Sequence, residues 1–334
     1  MPKCKYTSIG GQALIEGIMM KSPEKTALAV RTPKKEIDIT YLEYKSLREK
    51  YKIFSLPIIR GVVSFIESMI QGYKAMMLSA DKSGFSDLED EQPEPHTEKE
   101  QQEKQKKDSL LLNIIMVIGT VLGVVLSVVL FLYLPRLLVG GLEFIAKKEF
   151  SPFVRSVIEQ STKLCVFVAY VWGVSYMKDI RRVFMYHGAE HKTIFCYEKG
   201  LPLTVENVRK QKRFHPRCGT SFMILMILIS VILSTAVQII FPTVYSIGWL
   251  WVVAKLLLVP LTCGVGFEVL KFCGKHDNIL TKIISAPGLW LQRITTKEPE
   301  DDMIEIAVAA LKACAPKTDN CDLKLEKEEN DDNI

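Results

Sequence analysis

Residues 164–177 read LCVFVAYVWGVSYM, fourteen residues without a charge, and KDIRR follows directly at 178–182. Whether this stretch crosses a bilayer decides the architecture, because it sets the side on which everything after it lies. Length alone leaves the question open: a span needs about 20 apolar residues, and a run of roughly 10–14 also suits a buried helix. Three other runs are long enough. Leu110–Leu134 is uncharged and closed by Pro135, and Phe222–Phe241 has Gln238 as its one strongly polar side chain. Gly248–Leu270 carries Lys255 and Glu268, with Pro260 between them.

Charge decides the doubtful case. Ten basic residues lie between Lys178 and Ser221, and short segments rich in Lys and Arg stay on the cytoplasmic side. The stretch before the first run is basic too, with Lys99, Lys104, Lys106 and Lys107. Two cytoplasmic segments are separated by an even number of crossings, so 164–177 spans. The intervening 136–163 holds five basic residues, which weakens the contrast without reversing it. Trp249 and Trp251 suit the outer interface, beside the uncharged hairpin FPTVYSIG. The expected fold is mainly α: a polytopic helical membrane protein with spans near 110–134, 164–177, 222–241 and 248–270. Both termini are expected in the cytoplasm, with the lipid bilayer of the cell membrane as first partner and no nucleic acid.

Composition agrees: 48% of the 334 residues are hydrophobic and mean hydropathy is +0.15, yet the charges fall in separate blocks. The opening MPKCKYTSIGGQ lacks an apolar core, so no cleavable signal is expected. Eight cysteines form no C-x-x-C pair, which indicates neither a zinc ribbon nor a disulfide framework.

Outside the spans, residues 1–56 hold β-like runs (QALIEGIMM, TALAVR, KEIDITYLEY) parted by KSPEK and TPKK, which predicts a small meander or hairpin. Residues 57–82 predict an amphipathic helix at the membrane interface. The charged stretch 83–109 predicts a disordered tether. A helical cytoplasmic loop is expected over 178–221, C-terminal helices over 271–315, and a loose tail over 316–334. Pro299, followed by acids, marks a helix start. GGQALIEG lacks the ending of a phosphate-binding loop; its glycines read as turn residues, and Glu16 as a candidate partner of Arg60.

The chemistry concentrates in YHGAEHKTIFCY, 186–197, where His187, Glu190 and His191 form H-x-x-E-H. On a helix these positions share one face. Two imidazoles at that spacing chelate one zinc or similar divalent ion, with Glu190 as general base to a metal-bound water, the inverted zincin arrangement. The alternative is a polar loop helix with its histidines hydrogen-bonded. A catalytic zinc takes a third protein ligand. RFHPRCGTS offers His215 and Cys218, for which a structural role is the competing reading. Glu268, near the cytoplasmic end of the last span and 77 residues after His191, is the other candidate; its competing reading is a carboxylate paired with a loop arginine. Lys255 reads as a side chain snorkelling to the outer headgroups, and His276 as a hydrogen-bonding residue.

GGQALIEGIMMKSP, RGVVSFIESMIQGYKAM, YHGAEHKTIFCYE, RFHPRCGTSF and TTKEPEDDMIEIAVAAL, in this order, resemble the YqhQ family of bacterial membrane proteins. The resemblance covers nearly everything except tether and tail. It implies a multi-pass membrane protein of a family described as a domain of unknown function and predicted metal-dependent enzyme, and it brings no substrate. Two classes of function follow. One is a membrane-embedded metal-dependent hydrolase at the cytoplasmic interface, acting on a membrane-protein segment or a lipid headgroup. The other is a non-catalytic membrane factor, a scaffold or partner-binding protein whose His/Glu cluster is structural. A transporter ranks third.

Overall fold

The computed structural model describes residues 9–44, 46–84, 118–119, 121–215, 218–276 and 278–315. The tether from 85, the tail from 316 and the start of the run at Leu110 lie outside the described residues. The chain divides into two units, one of Met1–Leu88, Val171–Ser230 and Leu256–Ile334, the other of Glu89–Tyr170 and Val231–Lys255.

Four strands, β1 (Gly10–Leu14), β2 (Gly17–Lys21), β3 (Thr26–Arg31) and β4 (Ile37–Tyr41), form an antiparallel meander in sequence order. The main helices are α1 (Ile59–Lys82), α2 (Val121–Ala146), α3 (Pro152–Val174), α4 (Lys178–Glu198), α5 (Gly219–Ile240), α6 (Gly248–Lys275), α7 (Ile279–Thr295) and α8 (Asp301–Cys314).

In the first unit the sheet is covered on both faces. Side chains alternate along a strand, and here both sets are apolar. Ile18, Met20, Ala27 and Ala29 join Tyr186 and Ala189 of α4 and Ile304, Ala307 and Leu311 of α8 in one core. Leu14, Met19, Leu28 and Val30 pack with Ala75 of α1 in another. The apolar residues of α8 recur at three- and four-residue intervals, as a one-faced helix requires, and Asp301 and Asp302 in its first turn complement the helix dipole. The β1–β2 loop is two residues long. Its Glu16 sits at φ 48° and is fixed by Arg182 of α4 at 2.5 and 2.7 Å and by the Tyr186 hydroxyl at 3.0 Å. Glu16 therefore pairs with Arg182, not with Arg60.

Among the described residues, three helices are long and apolar enough to cross a membrane: Val121–Ala146, Gly219–Ile240 and Gly248–Cys273. The first does not stop at Pro135. Proline leaves the carbonyl four residues back without its N–H partner, and a π turn over Val129–Tyr133 precedes it, so the helix runs on to Ala146. Residues 164–174 of that stretch form the second half of α3, which begins at Pro152 and carries Arg155, Glu159 and Lys163 in its first half, and 175–177 turn into α4. The expected outer loop over 136–163 is thus mostly helical. The Lys255 ammonium lies 4.8 Å from the Trp251 ring centre, one turn back along α6, and 4.0 Å from Glu159 Oε2.

Candidate metal centre

α4 carries the whole H-x-x-E-H motif on continuous helix, and its middle, Gly188–Ile194, is buried. Gly188 permits the close approach of the chain after α7: a Cβ there would run into the Lys297 carbonyl. Lys297 N–H also donates to the Phe184 carbonyl at 2.8 Å, which sets this segment against α4. Gln292 of α7 holds the loop before α5 by accepting from the His215 N–H and donating to its carbonyl, each at 2.7 Å. Three pieces of chain thereby meet: α4, the residues Arg213–His215 with Cys218, and the end of α7.

At their junction His187, His191 and Cys218 are all buried, and one ligand atom of each lies within 4.8 Å of the others. His187 Nε2 is 3.0 Å from Cys218 Sγ. The other ring nitrogen of each histidine faces a backbone carbonyl: His187 Nδ1 at 2.9 Å from Thr295 O, His191 Nδ1 at 2.5 Å from Arg213 O. A carbonyl only accepts, so both Nδ1 atoms carry the hydrogen, and each Nε2 keeps its lone pair when the ring is neutral. His191 Nε2 is buried and makes no hydrogen bond of ordinary geometry. Such an orphaned atom facing a thiol fits a cation. Two imidazole nitrogens and a thiolate are donors suited to zinc, in its tetrahedral range of ligands.

The same proximity shifts the charges of the cluster. Burial opposes a thiolate at Cys218, but His187 and His191 outweigh it and hold the thiol well below its usual range. The Thr220 N–H, 3.4 Å from the sulfur at the first turn of α5, adds a donor. Burial likewise pushes the His187 imidazolium down, and Cys218 beside it more than offsets this, lifting it to about 9. Burial raises Glu190 above the usual carboxylate range, against the pull of the two imidazoles.

Of the other sequence candidates, Glu190 is buried next to His191 and packs against β1, where a Cβ on Gly11 would lie 2.9 Å from its carboxyl carbon. His215 lies beside the cluster, with ring centres 5.7 Å from His191, and its Nε2 is 3.7 Å from Glu198. Glu268 is not among the gathered donors. Its carboxylate is taken by Arg60 of α1, Nε to Oε1 at 2.6 Å with a second contact from the other guanidinium nitrogen. His276 is exposed and stacks on Phe272. The Thr295 and Arg213 carbonyls, which orient both imidazoles, have no side-chain signature by which a sequence could announce them.

Among known proteins, the family described as "Protein of unknown function (DUF1385)" matches residues 56–317. An uncharacterized protein, YqhQ of Bacillus subtilis (strain 168), is 36% identical over 301 residues, covering 90% of this chain and 89% of that protein. No solved structure matches. A match over most of the length, carrying both the His pair and Cys218 within its bounds, places the chain in the DUF1385 family, to which it belongs.

Proposed function

We propose that this chain is a multi-pass protein of the cell membrane in which a zinc-class cation, held by His187, His191 and Cys218, fastens the sheet-bearing body to the root of a membrane helix. The observation that carries this is the convergence of two Nδ1-anchored imidazoles on a buried thiol. Cys218 directly precedes α5, one of the three helices fit to span, so a bound cation ties α4 to that helix at its first residue. The fourth crossing is α3, with both termini cytoplasmic; the basic residues over 178–217 support that orientation. The role is structural: a non-catalytic membrane factor whose body presents surfaces to a partner. Two features support this over catalysis. The donors are deeply buried, and Glu268, the carboxylate expected to complete a hydrolytic ligand set, is occupied by Arg60.

A metal-dependent hydrolase is the second reading, favoured by one observation. Three protein donors leave one tetrahedral position for water or substrate, as catalytic zinc sites do, and Glu190 stands beside them as the proton acceptor. Its substrate would be a membrane-protein segment or a lipid headgroup.

Elemental analysis of purified protein tests the first reading. About one zinc per chain is expected, lost in His187→Ala and Cys218→Ser and retained in Glu190→Gln. Wild-type protein that holds no metal and whose unfolding temperature ignores both zinc and chelator would overturn it. If chelation leaves fold and protease resistance intact but abolishes a hydrolytic activity that Glu190→Gln also lacks, the second reading replaces it.

A further inference from the structure

α7 turns an apolar face outwards. Ile279, Ile283 and Trp290 are 80%, 65% and 53% exposed, and Ala286 between them is exposed too. At 3.6 residues per turn these four fall within about 60° of one another around the helix, as one narrow stripe. Thr281, Gly288, Leu291, Gln292 and Thr295, on the other side, are buried. Lys282 and Arg293 are both exposed and border the stripe along the same edge. From Lys271 to Lys297 the chain carries five basic residues against one acid, Asp277. A continuous apolar stripe rimmed by charge marks a contact face, where single exposed apolar residues do not.

Tethers on α7 fix where this face lies. Only 276–278 separate Lys275, the end of α6, from Ile279, a reach of at most roughly 14 Å of extended chain. Further along, α7 is pinned to the first turn of α5. A Cβ on Gly288 would lie 2.6 Å from Ser221 Oγ, and Gln292 Nε2 donates to that oxygen at 3.0 Å. α7 is thus tied to the end of one candidate span and to the start of another, and a helix fastened to both roots lies across them. Its 17 residues fall short of the roughly 20 that a crossing needs. α1 is rooted at the same turn, with the Phe65 ring centre 5.9 Å from that of Phe222. It too exposes an apolar stripe, of Ile66, Met69, Ile70, Tyr73 and Met77. Two such stripes rooted at one turn of α5 fit a continuous apolar layer better than a single protein partner.

We propose that α7 lies in the headgroup layer of the bilayer, its Ile279, Ile283 and Trp290 stripe dipped towards the acyl chains and Lys282 and Arg293 meeting lipid phosphates. Amphipathic helices with Trp on the apolar face and cations beside it sit about 5–10 Å into the boundary between headgroups and acyl chains. This placement rests on the membrane reading of α5 and α6 and not on the metal. The buried side of α7 carries Gln292 and the Thr295 carbonyl, which hold the His215 loop and orient His187. One helix therefore touches both the lipid and the candidate metal centre.

Fluorescence quenching on the full chain in phosphatidylglycerol–phosphatidylcholine nanodiscs tests the placement. Ile283→Cys and Trp290→Cys are each labelled with bimane, every native cysteine except the buried Cys218 being replaced. Leu257→Cys, at an exposed site within α6, and Glu206→Cys, at an exposed site on the sheet-bearing body, serve as references. Labels at 283 and 290 are expected to be quenched by lipid brominated near the headgroup and to lose most of the aqueous iodide quenching seen at 206. A label at 257 should be quenched by lipid brominated deep in the acyl chain. Iodide quenching at 283 and 290 equal to that at 206, with 257 still quenched by lipid, overturns the placement of α7 alone. Labels at 283 and 290 screened from both quenchers overturn it as well, and give the face to a second copy of the chain or to its tail, 316–334. Absence of lipid quenching at 257 overturns the membrane reading itself, and the placement of α7 with it.

Discussion

Arg60 grips both carboxylate oxygens of Glu268, joining the first turn of α1 to the C-terminal half of α6. The backbones there are close: a Cβ on Gly61 would lie 2.9 Å from Gly264 Cα, and one on Gly264 would strike Ile58. The ion pair thus marks where α1 docks on a candidate span, and it occupies the Glu268 carboxylate.

Glu268→Gln and Arg60→Gln are therefore expected to leave the zinc content of the purified protein unchanged. Gly264→Val should do more harm, because it forces α1 off α6. Faster proteolysis within 45–84 would report the loss of docking. Zinc lost in Glu268→Gln while Arg60→Gln retains it would return Glu268 to the ligand set.

Removal of the metal should act as a structural loss. Adding a strong chelator to wild-type protein is expected to lower the unfolding midpoint by several degrees, as a cation bound only by the folded state must. The same chelator should do nothing to Cys218→Ser. Calorimetry or intrinsic fluorescence on heating gives both values.

The Glu16 clamp should titrate in acid. Burial opposes its ionisation, but Arg182 and the Tyr186 hydroxyl more than offset this, so its folded pKa lies below the ordinary carboxylate value. Stability from such a group is fully present above the unfolded pKa of about 4.3 and is lost as pH falls through the folded value. Glu16→Gln should cost about 1 kcal/mol at pH 7. The gap between wild type and variant should close as the pH drops below 4, followed by denaturant unfolding across that range.

Side-specific labelling tests the crossings. With native cysteines replaced, a cysteine at Glu149, between α2 and α3, and one at Thr243, between α5 and α6, should react with an impermeant maleimide on intact cells. One at Val205 should not. A reactive position 205 would refute the four-crossing orientation and put the metal centre outside.

The helix bearing H-x-x-E-H was legible because a 3.6-residue period puts His187 and His191 on one face whatever surrounds them. Cys218 was legible only as one of three rival donors. Glu268 illustrates the limit: helix rise gives depth along a span, but the direction the carboxylate takes depended on Arg60, 208 residues earlier. The charges of α3 misled for a related reason. Arg155, Glu159 and Lys163 read as loop when each is weighed alone against lipid, whereas Arg155 is paired with Glu143 and Lys163 donates to Gln160. Pro135 read as a stop because a π turn, which absorbs its missing N–H, leaves no mark in composition.

Thr295, whose carbonyl orients His187, comes after α5 and α6 in the chain, while His187, His191 and Cys218 all precede them. Under the proposed membrane and zinc readings, the three donors emerge first during synthesis, with one imidazole unaligned until the α5–α6 hairpin is inserted. A chain whose hairpin stalled would lack that carbonyl. Metal capture would then be a checkpoint on insertion, the cation being held firmly only by molecules that have finished threading the membrane.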